Sequence, residues 1–124
     1  MTEDEHRSAA ILVVEDEFMI AMDLRRLLEE EGFDVVGPAA NVEGALALLE
    51  ETSPNACVLD VNLRGKHSGP VAAALQARSI PFVLSSAYEQ ADLERFGAFA
   101  GVRNVGKPAT PRLLLAALAE LLRT

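Results

Sequence analysis

The feature that most constrains this chain is alternation: short runs rich in Val, Ile, Leu and Phe are separated by stretches whose apolar residues recur at helical spacing. The runs are Ala10–Val14, Asp34–Val36, Ala56–Val61, Phe82–Ser85 and Gly101–Val105, and four of the five are almost unbroken. That pattern suits parallel strands covered on both faces better than a half-exposed sheet. Between the runs, apolar stripes predict helices. The first carries Ile20, Leu24, Leu27 and Leu28 on one side and stops at Gly32; the second begins after Asn41, a good N-cap, and runs toward Pro54. A third spans Gly69–Ala77 and a fourth Glu89–Ala98. The last opens at Thr110-Pro111 and lines up Leu114, Ala117, Leu118, Leu121 and Leu122. Five strand–helix units in strict order predict a doubly wound α/β domain, because right-handed crossovers leave few other arrangements.

Composition narrows the function classes. With 124 residues, half of them hydrophobic, the chain is the right size for one domain, expected at residues 9–124 behind a polar tail at 1–8. A net charge of −8 without a basic cluster argues against a nucleic-acid surface. No apolar run approaches the length of a membrane span, and "MTEDEHRS" lacks a signal-peptide core, so a cytoplasmic protein with no membrane partner is expected. The single cysteine, Cys57, lies in an apolar strand and reads as core.

In such sheets, function gathers at the carboxyl ends of the strands. The first strand ends in Glu15-Asp16-Glu17, the third in Asp60, Val61 and Asn62, the fourth in Ser85-Ser86, and the fifth leads into Lys107-Pro108. Adjacent acids repel, and the first three alone would suit the start of a helix. With Asp60 on the same rim they form an oxygen cluster suited to Mg2+. The hydroxyl of Ser86 and the ammonium of Lys107 are groups that bind phosphoryl oxygens. An aspartate among them can act as a nucleophile toward phosphorus, which makes Asp60 a candidate phospho-acceptor. Glu17 reads as the solvated start of the first helix, and His67 as a lone loop histidine in water.

The stretches "LVVEDE", "CVLDVNLRG", "LSSAY" and "VGKPAT" resemble the receiver domains of bacterial two-component response regulators over nearly the whole chain. The resemblance implies a flavodoxin-like (βα)5 fold with a five-stranded sheet of order 2-1-3-4-5. It implies Asp60 as phospho-acceptor, assisted by Lys107 and Ser86, and a Mg2+ site of Glu15, Asp16, Asp60 and the main-chain carbonyl of Asn62. Asp16 would be the direct ligand and Glu15 would act partly through water. "PFVLSSAY" is similar to the motif Pro-Phe-x-Phe-Ala-Thr-Gly-x-Tyr of a stand-alone subgroup. Many receivers carry an aromatic switch residue three positions before the lysine; here that position is Asn104, and Tyr88 is the candidate replacement beside Ser86.

The implied function is a stand-alone receiver, not an enzyme in its own right beyond promoting its own phosphorylation and dephosphorylation. It would take a phosphoryl group from a histidine kinase and signal to a downstream protein or phosphotransfer partner, as a monomer or weak dimer, through the fourth helix, fifth strand and fifth helix. Two rivals stand beside it. Asn104 suits a degenerate receiver that switches without phosphorylation and acts as a protein-binding module. A flavin-binding electron carrier shares the sheet class, but its phosphate loop should not be acidic.

Overall fold

The computed structural model describes residues 9–123, so the tail expected at 1–8 lies outside the described residues. The strands are β1 (Ala10–Val14), β2 (Asp34–Ala39), β3 (Ala56–Leu59), β4 (Asn62–Leu63), β5 (Lys66–His67) and β6 (Phe82–Leu84). The helices are α1 (Phe18–Glu30), α2 (Val42–Glu51), α3 (Gly69–Ala77), α4 (Gln90–Leu93) and α5 (Pro111–Leu121), with a 3-10 turn at Gly97–Phe99. Strands β2, β1, β3 and β6 pair in that order, all parallel.

Successive residues of each strand feed opposite layers, as the period of two requires. Ile11, Val13, Val58 and Val83 pack with Leu24 and Leu28 of α1 and Leu114 and Leu118 of α5. Leu12, Val14, Leu59 and Leu84 pack with Leu49 of α2 and Val71 and Leu75 of α3. Burying each such leucine stabilises the fold by about 1.5–3 kcal/mol, and the two-sided cover explains the unbroken apolar runs. Cys57 is 0% exposed in the middle of β3, and burial pushes its thiol far above the usual range.

Helix entry divides the caps. Asn41 accepts the Gly44 N–H at 2.7 Å and closes the first turn of α2. Thr110 has the extended backbone of an N-cap, yet its side chain makes no capping bond, so Pro111 carries that start alone.

Several elements differ from the periodicity, among them the third strand, expected over Ala56–Val61, which ends at Leu59 before the short strands β4 and β5. The expected five-stranded sheet has four strands, and Gly101–Val105 contributes one parallel bridge between Leu84 and Asn104. The Val102 N–H turns back to the Phe99 carbonyl at 3.1 Å and Gly101 has φ +78°, which diverts the first half of that segment from the edge. The fourth helix, expected over Glu89–Ala98, stops after Leu93, which is its only buried residue. Conversely, β2 continues to Ala39 through Gly37-Pro38. Gly37 has φ +91°, and a Cβ there would lie 2.8 Å from the Ala39 nitrogen and 3.0 Å from the Val13 carbonyl. Pro38 is tolerated because β2 is an edge strand.

Candidate functional site

Strands β1 and β3 are neighbours, with Val14 opposite Leu59, so the residues that follow them meet at one rim. The Asp60 N–H donates to the Val14 carbonyl at 3.0 Å, which fixes the third-strand acid beside the first-strand acids. One carboxylate oxygen from each of Glu15, Asp16 and Asp60 lies within 4.8 Å of the others. Glu15 is 2% and Asp60 4% exposed.

Lys107 reaches over from the loop before α5. Its Nζ lies 2.8 Å from Asp60 Oδ2, 3.1 Å from Glu15 Oε2, 3.1 Å from Glu17 Oε1 and 3.9 Å from Asp16 Oδ1. Burial would lower its pKa, but the contacts with Asp60, Glu17 and Glu15 hold it above the usual lysine range. Burial drives the Glu15 carboxyl up to about 7, against the opposing Glu17 N–H, which donates to its Oε2 at 2.9 Å. Asp60 is likewise raised by burial in spite of Lys107. Asp16 is lowered: burial acts upward, but the Arg64 N–H at 2.9 Å and Lys107 act more strongly in the other direction.

Two oxygens, Glu15 Oε1 and Asp16 Oδ1, are buried with no hydrogen-bond partner. Unpartnered buried carboxylate oxygens are costly. Asp16 and Asp60 face a cleft of about 250 Å³, which Asn62, Ser86, Tyr88 and Lys107 also line, and with Glu15 beside them the all-oxygen set fits a hard divalent cation.

Ser86 is 3% exposed, and its Oγ accepts the Tyr88 N–H at 3.0 Å. Tyr88 is 45% exposed. Asn62 donates its N–H to Asp60 Oδ1 at 3.3 Å, and its side chain accepts the Gly65 N–H at 3.0 Å. Asn104 holds the loop after β6: its Oδ1 accepts the Ser86 N–H at 3.0 Å. All the residues expected at the site therefore reach this one rim, with Asn104 at its back.

Other participants escaped the sequence. Glu17, read as solvated, has its carboxylate on Lys107 while remaining 60% exposed. Ser68 is fully buried and donates its hydroxyl to the Asp60 carbonyl at 2.6 Å. Its place before Gly69-Pro70 signals a helix cap, but its side chain makes no capping bond. The loop after Asp60 folds as the β4–β5 hairpin, in which Asn62 pairs with His67. Its turn residues Arg64 and Gly65 have φ +54° and +82°, a two-residue turn without the usual Asn-Gly signature, so the periodicity gave no sign of it. His67, exposed as expected, still stacks on Phe96 at 4.6 Å and on Phe99 at 5.1 Å.

The profile described as the response regulator receiver domain matches residues 11–119. The transcriptional regulatory protein PdtaR of Mycobacterium tuberculosis is 34% identical over 84 residues, which cover 67% of this chain and 41% of PdtaR. The chain thus spans less than half the length of that curated relative. The solution structure of SdrG from Sphingomonas melonis Fr1 superposes with a TM-score of 0.78 at 42% identity, over 94% of this chain and 98% of that one. A solution structure of the BeF3-activated conformation of SdrG from Pseudomonas melonis Fr1 gives 0.76 at 42% identity, over 91% and 95% of the two chains. Among the described residues, no helix is long and apolar enough to cross a membrane. With nearly the whole sheet and its acidic rim inside the matched span, this chain belongs to the response regulator receiver domain family of two-component signalling proteins.

Proposed function

We propose that this receiver accepts a phosphoryl group on Asp60 from the phosphohistidine of a partner histidine kinase, with Mg2+ held by Glu15, Asp16, Asp60 and the main-chain carbonyl of Asn62. The observation that carries this reading is the Lys107 ammonium 2.8 Å from Asp60 Oδ2, beside two buried carboxylate oxygens that lack partners. A carboxylate oxygen of Asp60 attacks phosphorus, the P–N bond to the histidine breaks, and its electron pair stays on the imidazole nitrogen. Bound Mg2+ supplies neutralisation of the charge that arrives with the phosphoryl group. Lys107 and the Ser86 hydroxyl take the transferred oxygens, and the Asn62 N–H and Lys107 keep the Asp60 carboxylate oriented for attack. Burial raises the Asp60 pKa, and Lys107 opposes that rise and so favours the ionised, nucleophilic carboxylate.

The phosphorylated aspartate carries added charge and acceptors, and the state leaves the site through the surface of α4, the Asn104 segment and α5. The Asn104 segment takes the fifth place of the 2-1-3-4-5 order, tied by its bridge to Leu84. Assignment to the Pro-Phe-x-Phe-Ala-Thr-Gly-x-Tyr subgroup rests on Pro81, Phe82 and Tyr88. A BeF3-activated conformation of the 42% identical SdrG supports a phosphoryl-responsive site. Its partners are the kinase and a downstream protein or phosphotransfer module.

The test is intact-mass detection of Asp60 labelling by a small phosphodonor with Mg2+. Asp60→Asn is expected to take no label; labelling at the wild-type rate would sink the assignment. Asn104 favours one second reading, a receiver that switches without phosphorylation. Amide resonances around Asp60 and Ser86 that ignore Mg2+ plus BeF3 would decide for it.

A further inference from the structure

Asn104 has the most fully used side-chain amide in the described protein. Its Oδ1 accepts the N–H groups of Ser86 at 3.0 Å and Gly106 at 3.1 Å. Its Nδ2 donates to the carbonyls of Ser86 at 3.1 Å and Tyr88 at 2.9 Å. A primary amide offers two acceptor sites and two donor hydrogens, so all four are occupied, and the partners dictate which way the amide faces. Its own backbone N–H donates to Gln90 Oε1 at 3.3 Å, and the next residue, Val105, donates to the Leu84 carbonyl at 2.8 Å. Asn104 is therefore anchored to the edge of the sheet while its side chain grips two loops.

Those loops carry the two groups expected to hold phosphoryl oxygens. One loop presents the Ser86 hydroxyl, and the other presents Lys107 immediately after Gly106. Ser85 adds a parallel tie, with its hydroxyl donating to the Gly106 carbonyl at 2.9 Å, but Asn104 alone joins Gly106 to both ends of the Ser86–Tyr88 segment.

We propose that Asn104 is a positioning residue: its amide is a four-point clasp that fixes the Ser86 hydroxyl relative to Lys107, where an aromatic ring could make no such bonds. This inference rests on the phosphorylation reading above and deepens it. An alanine at this position would leave two N–H groups and two carbonyls of the rim without their partner. Ser86 is nearly buried, so solvent would satisfy its N–H and carbonyl poorly. The two phosphoryl-holding groups would then drift independently, and loss of positioning is a rate effect more than a binding effect.

The experiment compares the wild-type chain with Asn104→Ala by three measurements: amide hydrogen exchange, Mg2+ affinity from amide titration, and the maximal rate of Asp60 labelling by a small phosphodonor at saturating Mg2+. In the variant, exchange at Ser86 and Gly106 should rise about tenfold while Val58 at the sheet centre is unchanged. Maximal labelling should fall on the order of tenfold or more, with the Mg2+ half-saturation point within about twofold of wild type because the clasp touches none of the acids. A folded variant that labels at the wild-type maximal rate overturns the proposal. So does a loss of Mg2+ affinity in step with the rate, or a rise in exchange that includes Val58, since each describes general loosening. A wild-type chain that takes no label refutes the phosphorylation reading instead; the clasp then stands or falls on whether exchange rises selectively at Ser86 and Gly106.

Discussion

Lys107 places a single ammonium within 3.1 Å of three carboxylates, two of them almost fully buried. A lysine has three donors, and here each finds an acid, while Asp16 is left beyond hydrogen-bonding range at 3.9 Å. Removing that ammonium leaves Glu15 and Asp60 facing each other across a poorly solvated rim. Lys107→Ala should therefore destabilise the metal-free protein by about 2 kcal/mol, the usual worth of a charge-assisted hydrogen bond, as measured by urea unfolding at neutral pH. An unchanged midpoint would mean that the cluster contributes nothing to folding. The acids, the hydroxyl and the lysine were legible as residue types at strand ends. The roles of Ser68 and Asn104 were not, because each works through backbone groups that only the folded loops bring near.

The legible elements are those whose stability comes from their own periodicity. Strands β1 and β3 were readable because their Val, Leu and Cys residues are buried on both faces, and α5 because its leucine stripe meets one layer. The illegible ones depend on what they touch. Helix α4 was overestimated since only Leu93 anchors it, and the hairpin after Asp60 was missed since its two rungs are held by contacts outside it. His67 on β5 reaches Phe96 and Phe99, and the Arg64 N–H reaches Asp16. The bend in β2, where its pairing with β1 skips from Leu12–Val36 to Val14–Ala39, sits between these extremes. Gly37 has φ +91° and no room for a Cβ beside the Ala39 nitrogen, so Gly37→Ala should cost about 1–3 kcal/mol. Thermal unfolding would reveal it, and a midpoint equal to wild type would show that the β2 bend relaxes freely.

Across the molecule, nineteen acids against eleven Lys and Arg leave a net charge of −8, and part of that excess converges on one rim. Repulsion among Glu15, Asp16, Glu17 and Asp60 opposes folding, and among the described residues Lys107 is the cation paired against it. A ligand that binds only the folded form stabilises it by about 2.7 kcal/mol at a hundred times its dissociation constant. Saturating Mg2+ should accordingly raise the unfolding midpoint by several degrees, and a chelator should reverse the gain. Equal midpoints with and without Mg2+ would argue against a cation at the acids. The fold class was readable because doubly wound packing imposes itself on every strand; the width of the sheet was not, because a turn at Gly101 rather than hydrophobic pattern reduces the segment beside β6 to one bridge.

Cys57 adds a property that belongs to the whole domain. It is the sole thiol of the chain, it lies within β3, and the core layer under α2 and α3 must part before anything reaches it. Covalent capture of that sulfur thus clocks the opening of that layer, and fraying at the rim leaves the clock still. The chain carries a native stopwatch, set apart from the acidic rim.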